Sequence, residues 1–199
     1  MSAALQRVGM FGGAFDPPHR AHVALARLAT RELALDRLHV LPTGNAWHKA
    51  RELTAAEHRL AMTRLAFEGL PQVRVDDREL RRAGATYSVD TLRELRAEYP
   101  GAQLHLLMGE DQAAGFTRWH AWDEIARLAV LCVAGRGTGE GLAALRALPG
   151  VRVQALPLPP MADSSTDIRT RLAARQDVAD LVAPAVASYI ESHHLYRTT

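Results

Sequence analysis

Leu5-Gln6-Arg7-Val8-Gly9-Met10-Phe11-Gly12-Gly13-Ala14-Phe15-Asp16-Pro17-Pro18-His19-Arg20-Ala21-His22 is the stretch that decides the fold. Leu5 to Met10 is an apolar run of strand length. From Arg20 to Leu35 the apolar positions, Val23, Leu25, Ala26 and Leu28 among them, recur at helical spacing. Between the two lie paired glycines and paired prolines, so the unit reads as strand, turn, helix. Adjacent glycines let a ligand come close to the backbone and its N–H groups. A helix N-terminus adds unpaired donors and the positive end of a dipole. Together they form an anion site made of backbone. His19 and His22 are three apart and project from one face of the first helical turn. There they can donate hydrogen bonds to phosphate oxygens without acting as bases. The stretch fits neither the Walker loop nor the dinucleotide G-x-G-x-x-G. A zinc reading of the two histidines needs a third ligand. Asp16, His48 and His58 are candidates, but their spacing resembles no metalloprotease motif.

Outward from that unit, strand and helix patterns alternate. Leu38–Leu41 is a short strand stopped by Pro42, and Thr43–Leu53 is a loop. Thr54 and Glu57 make a capping box that opens a helix to about Phe67. Val73-Arg74-Val75 reads as a strand and Ser88–Glu98 as a helix ended by Pro100-Gly101. Leu104–Met108, Leu128–Val133 and Val151–Leu156 have the length and apolarity of buried parallel strands. Gly135 to Gly141 is a loop. Thr166–Ala174 and Pro184–His194 are helices, with Pro184 suited to a first turn. This pattern predicts an α/β fold: a Rossmann-like open parallel sheet with helices on both faces. Ligands of such sheets bind at the carboxyl ends of the strands, where the strand order reverses. The 199 residues read as one domain, residues 1–199, whose C-terminal helical part (about 164–199) packs on the rest.

Composition excludes several classes. Hydrophobic residues at 48% and charged residues at 23% rule out disorder. The net charge of +2 is too small for a surface that coats nucleic acid. A single cysteine, Cys132, excludes an intrachain disulfide and suits a reducing compartment. No apolar run reaches the ~20 residues that span a bilayer, and the first residues lack the pattern of a signal peptide. The expectation is a cytoplasmic protein with no membrane or nucleic-acid partner; a homo-oligomer is left open. Lys49 is the sole lysine in an otherwise arginine-rich chain.

Two further groups sit at predicted strand ends. Ser164-Ser165-Thr166-Asp167-Ile168-Arg169 opens a helix after a proline-rich turn. Capping explains one hydroxyl or two but not Arg169, one turn on. Hydroxyls, N–H groups and a guanidinium make a second phosphate clamp, and two clamps on one sheet edge suggest a polyphosphate such as that of ATP. Gly109-Glu110-Asp111 follows an apolar strand, where a carboxylate can hold ribose hydroxyls or cap a helix. Trp119 and Trp122 are core residues or, for one of them, a surface for stacking on a flat ring. Tyr87 stands before a helix, where a ring-binding role is open to it. Cys132 reads as an inert core thiol. Arg78, Arg81 and Arg82 read as a solvated face or, less well, as a receiver of anions.

These residues together resemble the bacterial nicotinate-nucleotide adenylyltransferases, within the H-x-G-H nucleotidylyltransferases. Gly12–His22 resembles the G-G-x-F-D-P-x-H-x-G-H motif and His48-Lys49 the P-H-K loop. Gly84–Leu92 resembles G-x-(S/T)-Y-T-x-D-T-L. Gly109–Asp111 with Trp119 resembles G-x-D…W, and Ser164–Arg169 resembles I-S-S-T-x-I-R. Tyr189–Tyr196 resembles the C-terminal Y-I-x-x-x-x-L-Y segment. The resemblance implies transfer of the adenylyl group of ATP to nicotinate mononucleotide. It implies that His19, His22, Lys49 and Arg169 do the catalytic work. Gly12, Gly13, Phe15, Gly109, Ser164, Ser165 and Thr166 would join His19, His22 and Arg169 around ATP, with Asp111 on ribose. Tyr87 and Trp119 would frame the pyridine ring, and backbone N–H groups near Ser88 would receive its carboxylate. Magnesium would ride on the phosphates rather than in a protein cage. The sequence departs from the pattern at Ala21, at Asn45-Ala46-Trp47, at Ser88 and at Asp163. A same-class enzyme with another acceptor, a non-catalytic nucleotide sensor and a metal hydrolase are the rival readings.

Overall fold

In the computed structural model, which describes residues 6–44, 52–135, 139–159, 161 and 164–197, the elements run as the alternation predicts. They are β1 (Arg7–Gly13), α1 (Arg20–Glu32), β2 (Arg37–Pro42), α2 (Ala56–Phe67), β3 (Val73–Val75), α3 (Arg78–Arg81) and α4 (Ser88–Glu98). There follow β4 (Gln103–Gly109), α5 (Glu110–Ala114), a 3-10 turn (Phe116–Arg118), α6 (Trp122–Leu128), β5 (Ala129–Gly135), α7 (Glu140–Arg146), β6 (Val153–Pro157), α8 (Ser165–Ala173) and α9 (Pro184–Ser192).

All strand pairs are parallel, in the order β3-β2-β1-β4-β5-β6. The order reverses between β1 and β4, so the crevice that binds ligands in such sheets opens at their carboxyl ends, Gly12-Gly13 and Gly109. Side chains alternate across the sheet with period two. Along β5, Ala129, Leu131 and Val133 enter the core beneath α4, α5, α6 and α7. Val130, Cys132 and Ala134 enter the core beneath α1, α2, α8 and α9. Both faces are covered, which is why the strands read as unbroken apolar runs. Leu33, Leu38, Leu104 and Leu106 are at most 2% exposed, each contributing about 2 kcal/mol by removal from water. No helix among the described residues is long and apolar enough to cross a membrane.

The structure differs from the sequence reading in places that have physical causes. β1 continues through the glycines, because Gly12 and Gly13 pair with Leu41 and Pro42 of β2. α1 stops at Glu32, and Ala34 turns the chain at φ 46. The capping box at Thr54 does not form. Ala55 is the N-cap of α2, with no side-chain cap, and the Thr54 backbone N–H instead reaches Asp16 Oδ2 at 3.3 Å. α3, α5, α6 and α7 are too short for a 3.6-residue period to show. The expected loop Gly135–Gly141 gives way to α7 because Glu110 Oε2 accepts from the Leu142 N–H at 3.1 Å and stitches α5 to α7. Arg78 and Arg82 are not a solvated face. Arg78 pairs with Asp76 and Glu98 (2.7 Å each), and Arg82 pairs with Glu94 at 2.6 Å, both largely buried.

Candidate active site

The loop from Gly13 to His19 is the centre of the site, and its shape is set by partners from four other segments. Asp16 is 1% exposed. Its Oδ1 accepts from the Tyr196 hydroxyl at 2.6 Å, and its Oδ2 takes the Thr54 N–H already described. Its backbone carbonyl accepts from Arg169 Nη1 at 2.8 Å. One residue on, the Pro17 carbonyl accepts from Ser165 Oγ at 2.9 Å. Before it, the Ala14 carbonyl accepts from Arg59 Nη1 at 2.9 Å, while Arg59 Nε donates to the Thr54 carbonyl at 2.9 Å. Burial, and then the facing Asp16 carboxylate, hold the Tyr196 hydroxyl well above the usual phenol range. That hydroxyl therefore stays a donor.

His19 is not within the helix. It is the N-cap of α1, extended at φ −138, and His22 is the third helical residue. The His19 backbone N–H donates to His22 Nδ1 at 3.2 Å, half of a capping box. An accepting Nδ1 puts the ring proton of His22 on Nε2. The two imidazoles lie 3.7 Å apart between centroids, and Phe15 meets His22 edge-on at 5.0 Å. Phe15 itself is 1% exposed, at φ 47, and packs edge-on against Phe11 and Phe67. Its side chain is core, so only its backbone can face a nucleotide. Gly13 and Gly109 end the two strands at the switch point, with Gly12 one residue earlier. A Cβ on Gly109 would meet nothing within 4 Å, and one on Gly12 only a methionine methyl at 4.0 Å. There is room at Gly12 and Gly109, while a Cβ on Gly13 would meet the Phe15 ring at 3.0 Å.

At the start of α8 each hydroxyl has a structural bond. Ser164 Oγ caps the helix by accepting from the Asp167 N–H at 3.0 Å, and Thr166 Oγ1 accepts from Arg169 Nη2 at 3.1 Å. The guanidinium is thus fixed at two corners beside the β1–α1 loop. On the other flank, Tyr87 is the N-cap of α4, and Ser88 begins that helix. The Tyr87 ring lies 4.4 Å from that of His120, at 35°. Trp119 and Trp122 are both half-buried against Phe116, Trp119 tilted at 5.7 Å and Trp122 edge-on at 6.1 Å. Gly109 is the N-cap of α5, and Asp111 stands exposed in its first turn. Among the described residues no three His, Cys, Asp or Glu side chains form a metal-holding group.

The cytidylyltransferase-like family model matches residues 10–171. The chain is 53% identical over 197 residues to an Albidiferax ferrireducens protein named "Probable nicotinate-nucleotide adenylyltransferase", covering 98% of this chain and all of that one. A Methylibium petroleiphilum protein of the same name is 42% identical, covering 98% and 95%. The chain belongs to the nicotinate-nucleotide adenylyltransferase family. Its fold is similar to that of Plasmodium falciparum nicotinic acid mononucleotide adenylyltransferase complexed with NaAD, with a TM-score of 0.80 at 19% identity, covering 96% and 97% of the two chains.

In this nicotinate-nucleotide adenylyltransferase the fold gathers the first and fifth sequence motifs. Ser165 and Arg169 bond the very loop that ends at His19 and leads into the first turn of α1, where His22 stands. Lys49 and His48, and the departures at Asn45-Ala46-Trp47 and Asp163, lie outside the described residues. Sequence reading missed Arg59, Tyr196 as a partner of the loop, and His120. Arg59 had a signal. It stands three and four positions before Met62 and Thr63, on the face of α2 that is buried. Tyr196 was marked by the Y-I-x-x-x-x-L-Y segment but its partner, 180 residues away, was not, and His120, whose partner is 33 residues away, had no signal. A buried polar network behind α4 was also missed. His39 Nδ1 donates to Asp76 at 2.8 Å, and the Thr91 hydroxyl donates to Glu79 at 2.8 Å. Burial lifts Glu79 to about 7, despite Thr91 and Arg82. Cys132 is fully buried and its thiol is pushed up to about 12, as expected of an inert core residue.

Proposed function

We propose that the site performs the family's reaction by direct attack. The protein transfers the adenylyl group of ATP to nicotinate mononucleotide, as a nucleotidyltransferase of NAD biosynthesis. One observation supports the catalytic reading above others: two clusters some 150 residues apart share the Asp16-Pro17 backbone. A phosphate oxygen of the mononucleotide forms a bond to the α-phosphorus, in line with the bond that breaks to release pyrophosphate. The attacking phosphate is already an anion, so no general base is required. The task left to the protein is to align two repelling anions and to stabilise charge on the leaving group.

In this reading His22 Nε2–H, the His19 imidazole, the N-terminus of α1, Lys49 and Arg169 face the phosphates. Gly12, Gly13 and Gly109 give the nucleotide its close approach, with Asp111 on ribose. Ser164, Ser165 and Thr166 hold the start of α8 and the guanidinium in place. Tyr87 and Trp119 frame the pyridine ring, and the N–H groups of the first turn of α4, from Ser88, receive its carboxylate. Magnesium belongs to the same proposal and travels with the nucleotide. Imidazole, hydroxyl and guanidinium donors suit phosphate oxygens, whereas magnesium seeks carboxylates and water, and the Asp16 carboxylate is already engaged. When bound, the ion neutralises phosphate charge. A cytoplasmic setting is part of the reading, in keeping with a lone, buried thiol. The test is pyrophosphate release from ATP and magnesium with nicotinate mononucleotide, competed by nicotinamide mononucleotide. Release should depend on the acid form. No release with it, or equal use of the amide, counts against the proposal.

A further inference from the structure

We infer that Tyr196 is a positioning residue for the phosphate-gripping loop: by holding the Asp16 carboxylate, its hydroxyl sets where His19, His22 and Arg169 stand relative to the nucleotide. The inference rests on the proposed roles of those three residues. Asp16 lies three positions before His19, and its own carbonyl anchors Arg169. A change at its carboxylate is thus passed to both halves of the clamp. Tyr196 reaches it from beyond the end of α9. The last turn is fastened first to α2, where His58 Nδ1 and the Tyr189 hydroxyl share a hydrogen bond of 3.0 Å and His193 stacks on Tyr189 at 4.0 Å. The chain then turns through two left-handed residues, His194 at φ 52 and Tyr196 at φ 62. Non-glycine residues persist there when surrounding contacts outweigh the strain. The 2.6 Å bond to a buried carboxylate is such a contact. The phenol ring is also packed against the core cluster that contains Met62, so the hydroxyl is separable from the ring.

Tyr196→Phe removes only that hydroxyl. In the full chain it should lower kcat/KM for ATP by about 10- to 100-fold, the cost of a small misplacement of binding groups. It should also weaken binding of a non-hydrolysable ATP analogue by calorimetry, with KM for nicotinate mononucleotide unchanged. Asp16→Asn leaves one accepting oxygen for the two donors, the Tyr196 hydroxyl and the Thr54 N–H; it should produce the same ATP-selective loss, and the double variant should be no worse than the poorer single, because both act on the same carboxylate. If Tyr196→Phe does not fold, Asp16→Asn alone carries both outcomes. Unchanged analogue binding and unchanged ATP kinetics overturn the inference. So does a loss shared equally between the two substrates, which marks a merely structural role. A wild-type chain that binds the analogue but makes no dinucleotide would instead refute the proposed function, and the binding comparison would still judge Tyr196.

Discussion

Glu79→Gln should stabilise this protein at alkaline pH and leave it nearly unchanged at acid pH. Glu79 is 3% exposed, its Oε1 accepts from Thr91, and Asp76 and Glu94 stand near enough to oppose its ionisation. Its carboxyl is lifted from 4.5 to about 7, chiefly by burial. The unfolded chain therefore ionises first. Stability is fully present below about pH 4.5, falls as pH rises towards 7, and stays low above it. A rise from 4.5 to about 7, at about 1.4 kcal/mol per pH unit, corresponds to roughly 3 kcal/mol. Glutamine keeps an oxygen for Thr91 and never ionises. At pH 8 the variant should thus unfold about 6–12 °C above wild type, and at pH 5 close to it. His105 works in the same window with opposite sign. Burial lowers it from 6.5 to about 4, so its contribution is lost as pH falls. It is common to both proteins and cancels in the difference, which is the quantity to measure, by urea or thermal unfolding at each pH. A variant no more stable than wild type at pH 8, or equally stabilised at pH 5, would refute the reasoning.

Three further outcomes are expected. His22→Ala should lower turnover by about 10²–10³ while circular dichroism shows a folded protein, since one donor to developing charge is lost; near-normal turnover would remove His22 from the mechanism. Gly44→Ala would put a methyl 2.1 Å from the Glu79 carbonyl and 2.8 Å from Thr86 Oγ1. Urea unfolding should show a loss of about 1–3 kcal/mol from overpacking, with a raised KM for nicotinate mononucleotide because Tyr87 is next in the chain. Cys132, with its thiol buried, should resist an aromatic disulfide reagent in the native protein and react at once in urea.

The sequence by itself determined the alternation of strands and helices, the parallel sheet, and the strand ends at which chemistry sits. Those signals are local: apolar runs at Leu104–Met108, a helical stripe after Arg20, glycines and histidines within one turn of each other, and Pro184 at a helix start. The resemblance carried the reaction. Only the tertiary structure decided what holds the site. That Asp16 is the meeting point of Thr54, Arg169 and Tyr196, that Phe15 is core, and that Glu79 is a buried acid all depend on pairs far apart in the chain. No period or spacing encodes such pairs. A hydrogen bond between residues 16 and 196 exists only because six strands and two helical layers bring the ends of the chain together, and burial then sets its strength.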